Sequence, residues 1–350
     1  MGNKNIKNNN QLNKPTNKQL YYQPNRIELF SNLTYDSYSY LFSVDKFTII
    51  ESTNMIYLIY SKIDKSIIIY DLINIQKISE IKNAHSKYIS GLLYYEDKIN
   101  KIVYLMSVSY DDNNIKLWNL KNLECLLNLN LNNIKEKGNV YKTCFLIDKN
   151  EKYFITSYGS KSHKSYFLEV FDFEGNKIKN INGSKEATTF IDIYYDNNSL
   201  TNYIITGNIS YSKSYDYNKN KLYHIYKEKN YQETHSVKII EDNGIIKLIE
   251  SCGDGYIRIW NFHKGNLIKK INCFDYLNCI CLWNNEYAFV GCDQKIIKLI
   301  NLNNGYIIRY LNGHTNNVID IKKINHPVYG ECLISQGYEN DQIKLWVNKS

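Results

Sequence analysis

This 350-residue sequence predicts an all-β fold: a seven-bladed β-propeller of four-stranded antiparallel blades. Three observations carry the prediction. Apolar residues alternate with polar ones in short runs such as "SIIIYDL", "IVYLMSVS", "YIRIWNF" and "YAFVGC", the period of a strand with one buried face. Clusters of Asn, Asp, Gly and Lys separate the runs at about ten-residue spacing, and no segment holds a helical period for three turns. The ends of certain runs also recur in phase.

Those ends place the units in order. "DKSIIIYD" ends at Tyr70–Asp71, "NNIKLWN" at Trp118–Asn119, "YFLEVFDF" at Phe171–Asp172, and "KLYHIYK" near Tyr226. "GYIRIWN" ends at Trp260–Asn261, "KIIKLIN" at Ile300–Asn301, and "DQIKLWVN" at Trp346. From Tyr70 to Trp346 there are six steps averaging about 46 residues. A four-stranded unit cannot bury both faces alone, so units repeated at this period stack against one another in a ring.

Composition narrows the class. Eight cysteines in a chain this long, with no CxxC pair, are too dilute for a disulfide scaffold and fit reduced thiols in the cytosol or nucleus. Cys279 and Cys281 share a strand face and read as core. No apolar run of about 18 residues indicates a membrane span, and the start of the chain lacks the apolar region of a secretory signal. Gly2 invites lipidation, but Ile6 stands where Ser or Thr is wanted. Lys4, Lys7, Lys14, Lys18 and Arg26 carry +5 of the net +8, leaving +3 for the rest. Residues 1–25 therefore read as a low-complexity basic tail, expected to be disordered, and 26–350 as the propeller.

The motifs at the unit ends resemble those of the WD-repeat β-propeller family, in the pattern of G-protein β-subunit-like repeats. In that family a repeat opens near Gly-His and closes some thirty residues later at Trp-Asp. Gly313–His314 with Trp346, and Ala84–His85 with Trp118, match best; His235 with Trp260 is shorter. The resemblance spans residues 26–350, with units 2, 5 and 7 the clearest. It implies a buried lock in which the tryptophan is tied through a Ser or Thr and a His to an Asp before its strand. The matching residues are Trp118, Ser109, His85 and Asp111 in unit 2. Unit 5 offers His235, Asp254 and Trp260, with Cys252 at the hydroxyl position. Unit 7 offers His314, Glu339 and Trp346, with Gly337 there, and its lock is expected to be incomplete. Unit 1 has Asp64 with Tyr70, and unit 6 has Asp293 with Ile300. His85, Ser109 and Asp111 have the residue types of a catalytic triad, but a set that recurs from unit to unit is structural glue.

Unit 7 stops at Ser350 after its third strand. The resemblance implies that a segment from the chain start supplies the fourth, and "NRIELFSNL" at 25–33 has the required alternation.

The resemblance implies that partners bind the face that carries the turns between second and third strands. These repeat a tyrosine, at Tyr110, Tyr158, Tyr211 and Tyr338, a residue enriched at binding surfaces. Two of the turns look lengthened, at 158–165 and 210–221, and present Lys161, Lys164, Lys213 and Lys219. They suggest a patch for acidic or phosphorylated segments of partner proteins. The sequence carries no phosphate-cradling glycine loop, no metal-spaced His/Cys cluster and no isolated nucleophile with a base. His163, His263 and His326 read as exposed bystanders. No catalytic residue, cofactor or metal is therefore expected. The chain reads as a non-enzymatic cytoplasmic scaffold or adaptor, a subunit of a larger complex, with a nuclear location as the other compartment. The alternative is an RNA or ribonucleoprotein module that uses the tail and the lysine loops.

Overall fold

The computed structural model describes residues 24, 27–33, 47–52, 55–133, 137–160, 166–181, 187–230, 233–339 and 341–348. They form seven four-stranded antiparallel sheets, each built from four strands in sequence order except the last. Blade 1 runs from Phe47 to Ile81, blade 2 from Gly91 to Asn130, blade 3 from Lys137 to Ile181 and blade 4 from Thr188 to Tyr226. Blade 5 runs from Thr234 to Asn272 and blade 6 from Leu277 to Asn312. Blade 7 has Val318–His326, Gly330–Gly337 and Ile343–Asn348, and its outer strand is Ile27–Asn32.

That outer strand closes the ring as expected. Ile27 lies opposite Asn348, Leu29 opposite Trp346 and Asn32 opposite Lys344, antiparallel, with a bulge between Leu29 and Ser31. Beyond it, the Leu33 N–H donates to the Ile343 carbonyl at 2.7 Å. Pairing removes the exposed edge that Ile343–Asn348 would otherwise present. The basic residues of the tail, Arg26 included, lie outside the described residues.

The core is seven apolar clusters, one at each junction between neighbouring blades. Ile49, Leu58 and Ile68 of blade 1 meet Ile324, Ile334 and Leu345 of blade 7, for example, so the last junction is built like the others. Cys279 and Cys281 are buried between blades 6 and 7, and all eight cysteines are free. Each blade thus buries both faces only because the ring is complete. No helix among the described residues is long and apolar enough to cross a membrane.

Unit 4 differs from the sequence reading. Its third strand is Ser212–Asp216, and "KLYHIYK" belongs to its fourth, Lys221–Tyr226. Tyr215, opposite Ile204, therefore holds the place that Trp118, opposite Leu105, holds in blade 2. It sits almost midway between Phe171 and Trp260, which restores an even repeat. Four polar residues in "SKSYD" masked a strand whose inner face is nonetheless buried.

Candidate functional site: one face of the ring and its axial cavity

In a four-stranded meander, the turn between strands two and three and the link to the next blade lie at one end. The other two turns lie at the opposite end. This assigns the loops to two faces, and the first face is held by side-chain locks.

In blade 7 the Trp346 indole N–H donates to Ser335 Oγ at 2.7 Å, and Ser335 Oγ meets His314 Nε2 at 2.6 Å. His314 Nδ1 meets Asp341 Oδ2 at 2.7 Å, and the same carboxylate accepts the backbone N–H groups of Thr315 and Asn316. The lock is complete, unlike the sequence expectation, and it uses Ser335 and Asp341 in place of Gly337 and Glu339. Glu339 is exposed in the turn. Gly337 has another role: a Cβ there would stand 2.1 Å from the Asp341 carboxylate, so its hydrogen leaves room for the acid.

Blade 2 repeats the geometry. Trp118 Nε1 donates to Ser107 Oγ at 2.8 Å, and His85 Nε2 meets the same oxygen at 2.8 Å. His85 Nδ1 is 3.4 Å from Asp112, whose carboxylate also accepts the Ser86 N–H. Ser107 and Asp112 replace the expected Ser109 and Asp111. The pleat explains the shift. Trp118 lies opposite Leu105, and its diagonal same-face neighbour is two residues further along, Ser107; Ser109 is one pleat, about 7 Å, beyond reach. Trp346 opposite Leu333 selects Ser335 by the same rule. Asp111 is exposed, while Ser109 is buried outside the lock, its Oγ without a hydrogen-bond partner among the described residues. Burial alone would raise the Asp112 carboxyl, but the hydrogen bonds it accepts bring it down to about 2.

Blade 5 departs further. Trp260, opposite Leu248, finds Glu250 at the diagonal position and donates to its Oε1 at 2.7 Å. Glu250 is fully buried, and its other oxygen accepts Ser212 Oγ of blade 4 at 2.7 Å. Asp254 takes no part in that lock; it pairs with the buried Arg258, whose Nε also donates to Glu228 at 2.8 Å. His235 turns away to the hydroxyl of Tyr276, in the link between blades 5 and 6, at 2.7 Å. In blade 1 Asp64 builds only its own turn, accepting from Ser66, and Tyr70 packs partly buried in the junction with blade 7. His326 is buried rather than exposed, stacked on Tyr329 and 3.4 Å from the Leu72 carbonyl.

One pH dependence follows from the blade 7 lock. Burial holds the His314 imidazole below its ordinary value, against the pull of Asp341, and the bonds it receives from His314 and its neighbours hold Asp341 at about 2 despite burial. An unfolded imidazole titrates near about 6.5. Below that pH the unfolded chain takes a proton that the folded chain refuses, so stability falls on acidification. Asp341 stays ionised throughout that window. Thermal melts between pH 7.5 and 5 are expected to show Tm falling with acid, and His314→Gln is expected to flatten that slope relative to the native chain.

The expected partner-binding residues divide. Tyr110 is half-buried, edge-on to Tyr141 at 5.6 Å. Tyr158 is not presented at all: the second strand of blade 3 runs on to Ser160, which places Tyr158 opposite Phe167, stacked on it and 1% exposed. Lys161 and Lys164 lie outside the described residues. Lys219 sits in the turn after Ser212–Asp216, pairing with Asp216 at 3.0 Å, on the opposite face from Tyr211. Lys219 therefore does not share a patch with Lys213. What remains is local: Tyr211 lies under Lys213 Nζ at 4.8 Å and under Lys227 Nζ at 5.6 Å.

At the axis of this face a cavity of about 680 Å³ opens between the inner strands of blades 3 to 7. Tyr141, Ile209, Glu233, His235, Tyr276, Asp293 and Tyr338 line it toward the turns, and Lys142, Lys238, Asp320 and Lys322 line it further along the strands. Burial raises the Glu233 carboxyl, with Lys142 acting the other way. Burial, reinforced by Glu233 and Asp293, pushes the Tyr276 phenol up to about 12. Its residues come from five blades, so no local sequence pattern announced it; the nearest signal was the repeated Asp and Tyr in the turns. Among the described residues no group of three His, Cys, Asp or Glu side chains could hold a metal ion.

No protein-family model matches the chain, and a search of curated proteins finds no match either.

Proposed function

We propose that this chain is a divergent WD-repeat protein that acts as a non-enzymatic, cytoplasmic interaction platform. The Trp–Ser–His–Asp locks of blades 2 and 7 support the family reading, and the free cysteines fit a reducing compartment. The observation that carries the functional reading is the cavity on the locked face, ringed by half-buried tyrosines and acids that converge from different blades. Turns held by buried hydrogen bonds lose little freedom when a partner settles on them, which favours affinity. A cavity of this size suits a side chain or a short segment of a protein partner.

Affinity purification with mass spectrometry on three forms tests the reading. Tyr211→Ala with Lys213→Glu and Tyr338→Ala alters the locked face. Leu200→Ala with Val328→Ala alters exposed tips on the opposite face. Partners of the native chain are expected to be lost from the first variant and kept by the second. Equal recovery from both would refute the assignment of function to this face.

A further inference from the structure

Two features of opposite charge lie on the locked face. At the cavity mouth, Tyr276, Glu233 and Asp293 line one opening, and the Asp293 N–H donates to the Tyr276 carbonyl at 3.2 Å. Glu233 Oε2 lies 3.8 Å from His235 Nε2 and pairs with no Lys or Arg among the described residues. Asp293 makes no ion pair there and accepts the Asn278 amide at 2.9 Å. Two carboxylates beside an aromatic ring, in a partly dehydrated cavity, complement a guanidinium or an ammonium through charge-assisted hydrogen bonds and cation–π attraction. Lys238 and Lys322, also in the lining, confine such a cation to the mouth.

Ile209 lines the same mouth, and two residues on is Tyr211, with Lys213 and Lys227 drawn over its ring. Neither ammonium has a carboxylate partner among the described residues. Like charges converging on one ring repel each other and gain from an anion placed between them.

We propose, resting on the platform reading above, that this face recognises a short partner segment that carries a basic residue and an acidic or phosphorylated one. The basic side chain enters between Glu233 and Asp293, beside Tyr276. The anion docks on Lys213 and Lys227.

Selection of random twelve-residue peptides, with and without phosphoserine, on the full chain tests this. The native protein is expected to enrich Arg or Lys at one position and Asp, Glu or phosphoserine at a second, and the two libraries decide which anion is preferred. Glu233→Gln with Asp293→Asn is expected to weaken the selected peptide about tenfold. Replacing the peptide's basic residue by Ala costs about the same, and the two losses do not add. Lys213→Glu with Lys227→Glu removes the acidic preference and leaves the basic one. Unchanged melting temperatures show that the variants are folded. Enrichment of peptides without a basic residue, or additive losses, overturns the anchor while leaving the platform reading intact. No enrichment of any peptide overturns both.

Discussion

Trp346→Ala is expected to lower the free energy of unfolding by about 3–5 kcal/mol, read as a lower denaturant midpoint at unchanged slope. The indole is 1% exposed and packs with Ile27, Leu299 and Leu333 in the junction of blades 6 and 7. A Cβ on Gly313 would touch its ring at 3.2 Å, so the fit extends to the turn before the blade. Truncation opens a cavity and leaves Ser335 without its indole donor. Ser335→Ala removes no comparable volume but strands the indole N–H and His314 Nε2, at about 1–3 kcal/mol. The two changes act on one chain of bonds, so the double variant is expected to cost less than their sum. Trp118→Ala belongs in the same range as Trp346→Ala, and a loss below about 1 kcal/mol in either would contradict the lock.

The second large effect concerns ring closure. Deleting residues 1–23 is expected to leave stability unchanged, whereas deleting 1–33 removes the outer strand of blade 7. Ile27 and Leu33 are buried, each contributing about 1.5–3 kcal/mol, and the ladder with Lys344–Asn348 goes with them. The longer deletion is therefore expected to cost at least about 3 kcal/mol and to aggregate, since Ile343–Asn348 becomes an unpaired apolar edge. A synthetic peptide of residues 24–33 added in trans is expected to raise the melting temperature of the truncated chain. Equal melting temperatures for the two deletions would refute closure by this strand.

The number of blades was legible because a two-residue alternation inside a repeat of about 46 residues leaves few other ways to bury the apolar faces. Closure was legible through the resemblance, which implies that the chain start completes unit 7, and the alternation at 25–33 marked the segment that does so. The lock was only half legible. Tryptophans and histidines stand where expected in blades 2 and 7, yet the hydroxyl and the acid sit at Ser107 and Asp112, and at Ser335 and Asp341. Cross-strand register chooses the hydroxyl, and register is a property of the pair of strands. Blade 4 was misplaced because Ser212–Asp216 is polar on paper and buried in the ring.

Local pattern alone determined that the chain forms strands and how many sheets it forms, because these depend on neighbours in sequence and on a repeated period; that the chain start seals the circle came from the family resemblance, and the alternation at 27–32 only named the segment. Tertiary structure alone decided that Tyr158 is core, that Lys219 faces away from Tyr211, and that Glu233, Tyr276 and Asp293 share one opening. Those residues come from separate strands and turns, and only the rotation from blade to blade sets the distances between them.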